Sequence, residues 1–171
     1  MSIRSHTEEE LVFVQPHALR PRCELRSGDS PIGGLTLLNL FGTAARAESD
    51  DGSWIFRRSG FIRKRVTIRV LGQEEDVGHY VENAWRPGGT VHADSGRRFR
   101  VGGNFWLTTF EIASEDGTPL LRYSRVRGLF RRTGIVRVLP EAANLPELPW
   151  LVFLGWYIAI MENRDRAGRT G

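Results

Sequence analysis

The densest set of chemically capable side chains is the basic run Arg57, Arg58, Arg63, Lys64 and Arg65, with Arg131 and Arg132 as a second, shorter group. The two groups sit in similar contexts: "FRRSGFIRKRV" (56–66) is echoed by "FRRTGIVRV" (130–138). Cations at this density suit a phosphate group or an anionic lipid surface. The plainer reading is that they are the solvated outer faces of strands, protected by charge against aggregation. Alternation along a strand also thins the cluster, because successive side chains leave on opposite faces.

Other candidate chemistry is weaker. "HADS" (92–95) contains the residue types of a catalytic triad, but three residues bunched in one hairpin do not generate its geometry. His79 and His92 have no accompanying ligand set, and Cys23 is the only cysteine, so neither a metal site nor a disulfide is expected. The acidic groups "ESDD" (48–51), "QEED" (73–76) and "SED" (114–116) lack the alternating oxygen-ligand spacing of a calcium loop and read as solvated turns. No glycine motif for cradling phosphates occurs. Arginines interleaved with Trp54, Phe56, Phe61, Phe99, Phe105 and Trp106 resemble a base-stacking surface. Such aromatics more often form a core, and nucleic acid is not an expected partner. No catalytic residue, metal or cofactor is assigned.

These side chains must be carried by strands. Of 171 residues, 40% are hydrophobic and 26% charged, the composition of an ordinary globular domain, and the net charge is +4. A period of two runs through most of the chain, broken by turn signals every eight to twelve residues, as in an all-β sandwich or barrel. Val66, Ile68 and Val70 share one face, as do Trp54 and Phe56, Phe110 and Ile112, and Val136 and Val138. Further strands are expected at 12–16, 23–26, 35–39, 44–48, 77–83, 90–93, 98–101 and 120–126. Ser27-Gly28-Asp29, Asp51-Gly52, Ser59-Gly60, Pro87-Gly88-Gly89, Ser95-Gly96 and Asp116-Gly117 provide tight turns, and tight turns join antiparallel neighbours. About twelve strands in one domain result, over 11–164, with 1–10 and 165–171 as flexible tails. Residues 1–14 do not read as a signal peptide, so a cytoplasmic location is expected.

"PWLVFLGWYIAIMENR" (149–164) breaks the pattern. From Pro149 to Met161 there is no charge. A spanning helix needs about 20 apolar residues, and a run of this length suits a buried core helix instead. As a helix over about 148–163 it is apolar on every side, which places it inside protein or lipid. Fourteen helical residues span about 21 Å, matching a strand of about six residues. A can of about eleven strands accommodates a central helix. The expected fold is therefore mainly β: a closed antiparallel barrel of about twelve strands enclosing a hydrophobic C-terminal α-helix.

A strand-rich chain with "LFGTAARAESDDGSWIFRRSGFIRKRVTIR", "GRRFRVGGNFW" and "FRRTGIVRV", ending in "ELPWLVFLGWYIAIM", resembles the tubby C-terminal-like superfamily. That group includes LURP-one-related and phospholipid scramblase-like proteins, and the similarity spans roughly 12–163. It implies a twelve-stranded barrel around a hydrophobic C-terminal helix, and phosphoinositide binding through basic residues on the barrel surface. Scramblase-type calcium ligands and a palmitoylated cysteine-rich stretch have no counterpart here. The expectation is a non-catalytic binding or scaffold domain that meets anionic phospholipid headgroups, or a protein partner, through Arg57, Arg58, Arg63, Lys64, Arg65, Arg131 and Arg132. Such a domain would be peripheral at a membrane, without a transmembrane span. The alternative is a small-molecule carrier or enzyme whose pocket opens at a barrel mouth, where Tyr80, Tyr123 and Asn104 converge.

Overall fold

Side chains two residues apart share a face of a strand, and in a computed structural model of the protein the apolar member of each pair turns inward. Residues 2–17, 19–104, 108–127 and 132–169 are described. Leu11 and Phe13, Trp54 and Phe56, Val66 and Ile68, and Val136 and Val138 are all buried. The strands are β1 (Glu10–Val14), β2 (Arg22–Ser27), β3 (Ser30–Leu37), β4 (Ala44–Ser49), β5 (Gly52–Ser59) and β6 (Arg65–Val70). They continue as β7 (Asp76–Glu82), β8 (Gly89–Ala93), β9 (Arg98–Gly103), β10 (Thr109–Ser114), β11 (Pro119–Arg127) and β12 (Arg132–Val138). Each pairs antiparallel with its sequence neighbours, and β1 closes on β12 from Glu10↔Arg137 to Phe13↔Gly134. The result is a closed up-and-down barrel with no sheet edge.

Helix α1 (Leu148–Arg169) fills the barrel, and every residue from Leu148 to Met161 is buried. The wall makes room for it with glycine. A side chain on Gly134 would overlap the Trp156 ring, and one on Gly33 would meet Phe153. Phe13, opposite Gly134, stacks on Trp156 with ring centroids 5.0 Å apart. In return, Gly155 on the helix admits Tyr123, whose hydroxyl donates to the Val152 carbonyl at 2.9 Å. Aromatic knobs on one partner therefore seat in glycine notches on the other.

Because the strands alternate in direction, the barrel has two distinct ends. Helix α1 starts at the near end, with the turns β2–β3, β4–β5, β6–β7, β8–β9 and β10–β11. It emerges at the far end, with the connections 15–21, 38–43, 60–64 and 83–88. Both chain ends carry local structure. Ile3–His6 form a 3-10 turn with Ile3 buried, and the Ile3 amide donates to Asp51 at 2.8 Å. Arg4 donates to the Leu145 and Pro146 carbonyls just before the helix. At the other terminus α1 runs on to Arg169 rather than stopping near 163, because Arg164 and Asp165 find partners on the barrel rim.

Burying a large apolar side chain contributes about 1.5–3 kcal/mol, and this helix buries most of its own. Truncation after Pro146 should abolish cooperative thermal unfolding; a cooperative melt from that variant would refute the enclosed-helix account. Gly134→Ala, which forces a methyl into the Trp156 ring, should cost about 1–3 kcal/mol or more in denaturant unfolding.

Candidate functional site

The strand period that packs the core also divides the five-cation run. On β5, inward positions descend from Trp54 and Phe56 to Arg58; at the barrel's far end, Arg58 meets the polar last turns of α1 rather than its apolar body. Its guanidinium grips Asp165 with two hydrogen bonds of 2.6 and 3.2 Å. Lys64 contacts the same carboxylate and lies 3.7 Å from both Glu82 and Glu162. Burial disfavours the charge on Asp165, but hydrogen bonds from Arg58 and Lys64 outweigh it and hold the carboxyl below its usual range. Burial and the neighbouring Glu162 push Glu82 upward, against the pull of Lys64. Arg58 and Lys64 are thus internal counter-ions that tie the helix end to the wall.

Arg57, Arg63 and Arg65 point outward and are exposed. Arg132 opens β12 opposite Arg127, and Arg131 lies outside the described residues. The described members of the expected patch therefore divide between the outer face and the rim interior, and further arginines join those on the outer face. Among the described residues, Arg20, Arg57, Arg63, Arg65, Arg86, Arg100 and Arg169 form no ion pair, and all but Arg100, within β9, lie at or beside the far end. Several exposed arginines elsewhere are matched, Arg22 with Glu48 at 2.7 Å, Arg69 with Asp76 at 2.8 Å and Arg137 with Glu10 at 2.9 Å, whereas Arg100 on β9 is not.

The connections at the two ends differ in their acid content. Each near-end turn contains acid: Asp29; Asp50 and Asp51; Glu74 and Glu75; Asp94; Glu115 and Asp116. The far-end connections 15–21, 38–43, 60–64 and 83–88 contain no aspartate or glutamate. Nor do the sequences 104–108 and 128–131, which join β9 to β10 and β11 to β12 and fall partly or wholly outside the described residues.

The same far-end connections carry apolar tips. Leu19, Leu40, Phe41, Phe61, Ile62 and Trp85 are each at least 83% exposed. Gly60, at φ +92°, turns the chain so tightly that a side chain on it would strike the Arg63 carbonyl, and Phe61 and Ile62 are left standing in solvent. Between the 60–64 and 83–88 connections, Arg63, Glu82, Trp85, Arg86, Thr90 and His92 border a concavity of about 480 Å³. Arg86 and the apolar tips escape a reading based on local cation density. Their signal was an arginine following an apolar residue in alternate turns: Leu19-Arg20, Ile62-Arg63, Trp85-Arg86.

The other candidates do not assemble. His92 stacks on His79 across β7 and β8, rings 4.8 Å apart, while Ser95 donates to Glu147 at 2.6 Å. Burial, with the nearby Arg65, lowers the affinity of His79 for a proton. Tyr123 is engaged with the helix and Tyr80 is buried, so neither opens into a barrel mouth. Asn104 and Tyr123 do border one outer concavity of about 640 Å³, which Tyr80 does not reach. Among the described residues no cluster of three or more histidine, cysteine or acidic side chains could hold a metal ion, and no helix is long and apolar enough to cross a membrane.

No family model matches the chain, and no curated protein matches it. The fold is similar to the X-ray structure of a protein from Arabidopsis thaliana, with a TM-score of 0.54 over 95% of this chain and 96% of that one. Sequence identity is 9%, so the likeness is one of fold alone.

Asp165 favours the folded state wherever it is ionised there, since its folded pKa lies below the unfolded value. That contribution is present above the unfolded pKa and is lost as pH falls through the folded one. Asp165→Asn should therefore destabilise the protein by about 1–3 kcal/mol near neutral pH. The difference should close on acidification below about pH 4; a difference independent of pH would contradict the assigned role.

Proposed function

We propose that this chain is a non-catalytic binding domain of the tubby-like kind that docks on anionic phospholipid surfaces with its far end. The observation that carries this reading is the separation of charge along the barrel. Of the seven unpaired arginines among the described residues, Arg20, Arg57, Arg63, Arg65 and Arg86 gather where the connections contain no acid, and the acidic turns lie at the opposite end. Charge placed this way is attractive to an anionic leaflet in one orientation and repelled in the other. A twelve-stranded barrel around a hydrophobic C-terminal helix is also the arrangement that the resemblance implies.

The basic residues that perform this role are Arg20, Arg57, Arg63, Arg65 and Arg86. Arg58 and Lys64 support them by fixing the helix end. The concavity flanked by Arg63 and Arg86 is sized for a phosphate-bearing headgroup, with Thr90, His92 and Glu82 on its border, the last offset by Lys64 at 3.7 Å. The cytoplasmic leaflet, rich in anionic lipid, is the surface that suits a peripheral domain of this type. Each arginine near such a surface contributes about 1 kcal/mol. On charge alone, the five would give association on the order of 0.1 mM.

Co-sedimentation with vesicles tests the proposal. Binding should require phosphatidylserine mixed into phosphatidylcholine, and it should weaken between about 0.1 and 1 M salt as the screening length contracts. Arg63→Glu combined with Arg86→Glu should lower affinity by about tenfold or more. Equal binding to phosphatidylcholine alone, or indifference to salt, would remove the proposal.

A further inference from the structure

Charge accounts for attraction to a surface but not for six large apolar side chains held in water at one end of the barrel. Scattered exposed apolar residues are normal, whereas apolar residues gathered in one region mark an interaction site. Here Leu19, Leu40, Phe41, Phe61, Ile62 and Trp85 all belong to far-end connections. At the near end the only comparable residue among those described is Leu71, at 44% exposure. None of the far-end tips is needed for the core, which the helix and the inner wall complete without them.

We infer that the barrel seats end-on in an anionic bilayer, with these loop tips passing through the headgroup layer. The inference rests on the anionic-surface reading above and assigns it an insertion surface. Three connections repeat one arrangement, an apolar residue followed by an arginine: Leu19-Arg20, Ile62-Arg63 and Trp85-Arg86. At an interface this pair divides its labour. The apolar side chain enters the acyl boundary, while the long arginine stem lies along it and returns its guanidinium to the phosphates. Trp85 has the indole that favours the headgroup level, an apolar ring with a polar N–H. These connections contain no acid, and the nearest rim carboxylates, Glu82, Glu162 and Asp165, already face Lys64.

Insertion also supplies what charge lacks. One weak signal gives marginal, reversible attachment, and stable attachment takes two. Shallow burial of about 5–10 Å is what loop tips on a rigid barrel rim can reach, in the manner of interfacial helices. The rim is rigid because α1 is bolted to it: Tyr157 donates to the Gly42 carbonyl at 2.7 Å, Arg164 to that of Leu40 at 2.9 Å, and Asp165 holds Arg58. The 38–43 tip, with Leu40 and Phe41, is thus fastened directly to the helix.

Nitroxide depth measurements test this. Cys23 is buried, so Phe61→Cys and Leu71→Cys can each be labelled at the new site, one at either end of the barrel. On phosphatidylserine-containing vesicles, the label at position 61 should become more accessible to oxygen and shielded from a water-soluble relaxant. The label at 71 should not change. Phe61→Ser with Ile62→Ser, at positions that contribute nothing to the core, should weaken vesicle binding by roughly tenfold or more. Salt-sensitive binding with no change at 61 would overturn insertion while leaving electrostatic docking intact. Failure to bind any anionic vesicle would remove both. A lipid-free dimer in light scattering that Phe61→Ser with Ile62→Ser dissolves would assign the tips to a second copy of the chain and overturn the inference.

Discussion

A helix with no polar face sets the terms for the rest of the molecule. Leu148–Met161 cannot rest on a surface, because each of its sides removes apolar area from water. It needs a wall around its full circumference, and a closed sheet is the structure that provides one without leaving unpaired strand edges. Twelve strands in neighbour order are the consequence, and so are the notches at Gly33 and Gly134 where the wall yields to Phe153 and Trp156. The helix cannot be exchanged for a generic apolar plug, since its aromatic rings and the missing side chains of the wall are matched in position. Hydrogen bonds from Tyr123 and Tyr157 then fix its rotation and depth.

The architecture was legible because its two periods are unmixed. Alternation in stretches such as "RVTIRV" identifies strands, turn residues divide them, and the single run that obeys neither rule is the helix. Boundaries were less legible. β3 starts at Ser30, although Gly33 and Gly34 offer no apolar signal at all. Glycine counts as a break in a periodic reading, yet Gly33 and Gly134 are core positions occupied by a helix side chain from across the barrel. The packed N-terminus was hidden similarly: Ile3 is one apolar residue among polar ones, and its place is created by Asp51 and the segment before α1.

Linear proximity misled most at the candidate site. Arg57, Arg58, Arg63, Lys64 and Arg65 are neighbours in the chain, but a strand turns alternate members inward and outward. At the rim, inward means toward the helix end, where Glu162 and Asp165 claim Arg58 and Lys64. The residues that do share a surface, such as Arg20, Arg63 and Arg86, are separated by two hairpins or one. Their relation depends on counting turns around a meander, with odd turns on one end and even turns on the other. That parity is readable once neighbour order is assumed, and acid falls only in the even turns.

The lengthwise division of charge has a mechanical meaning as well. A body with acid at one pole and unneutralised arginine at the other carries a permanent dipole along its barrel axis. In the field outside a charged sheet such a dipole feels a torque as well as a pull. On the anionic-surface reading, it would swing into alignment within about one screening length of the sheet, and the rim would arrive foremost.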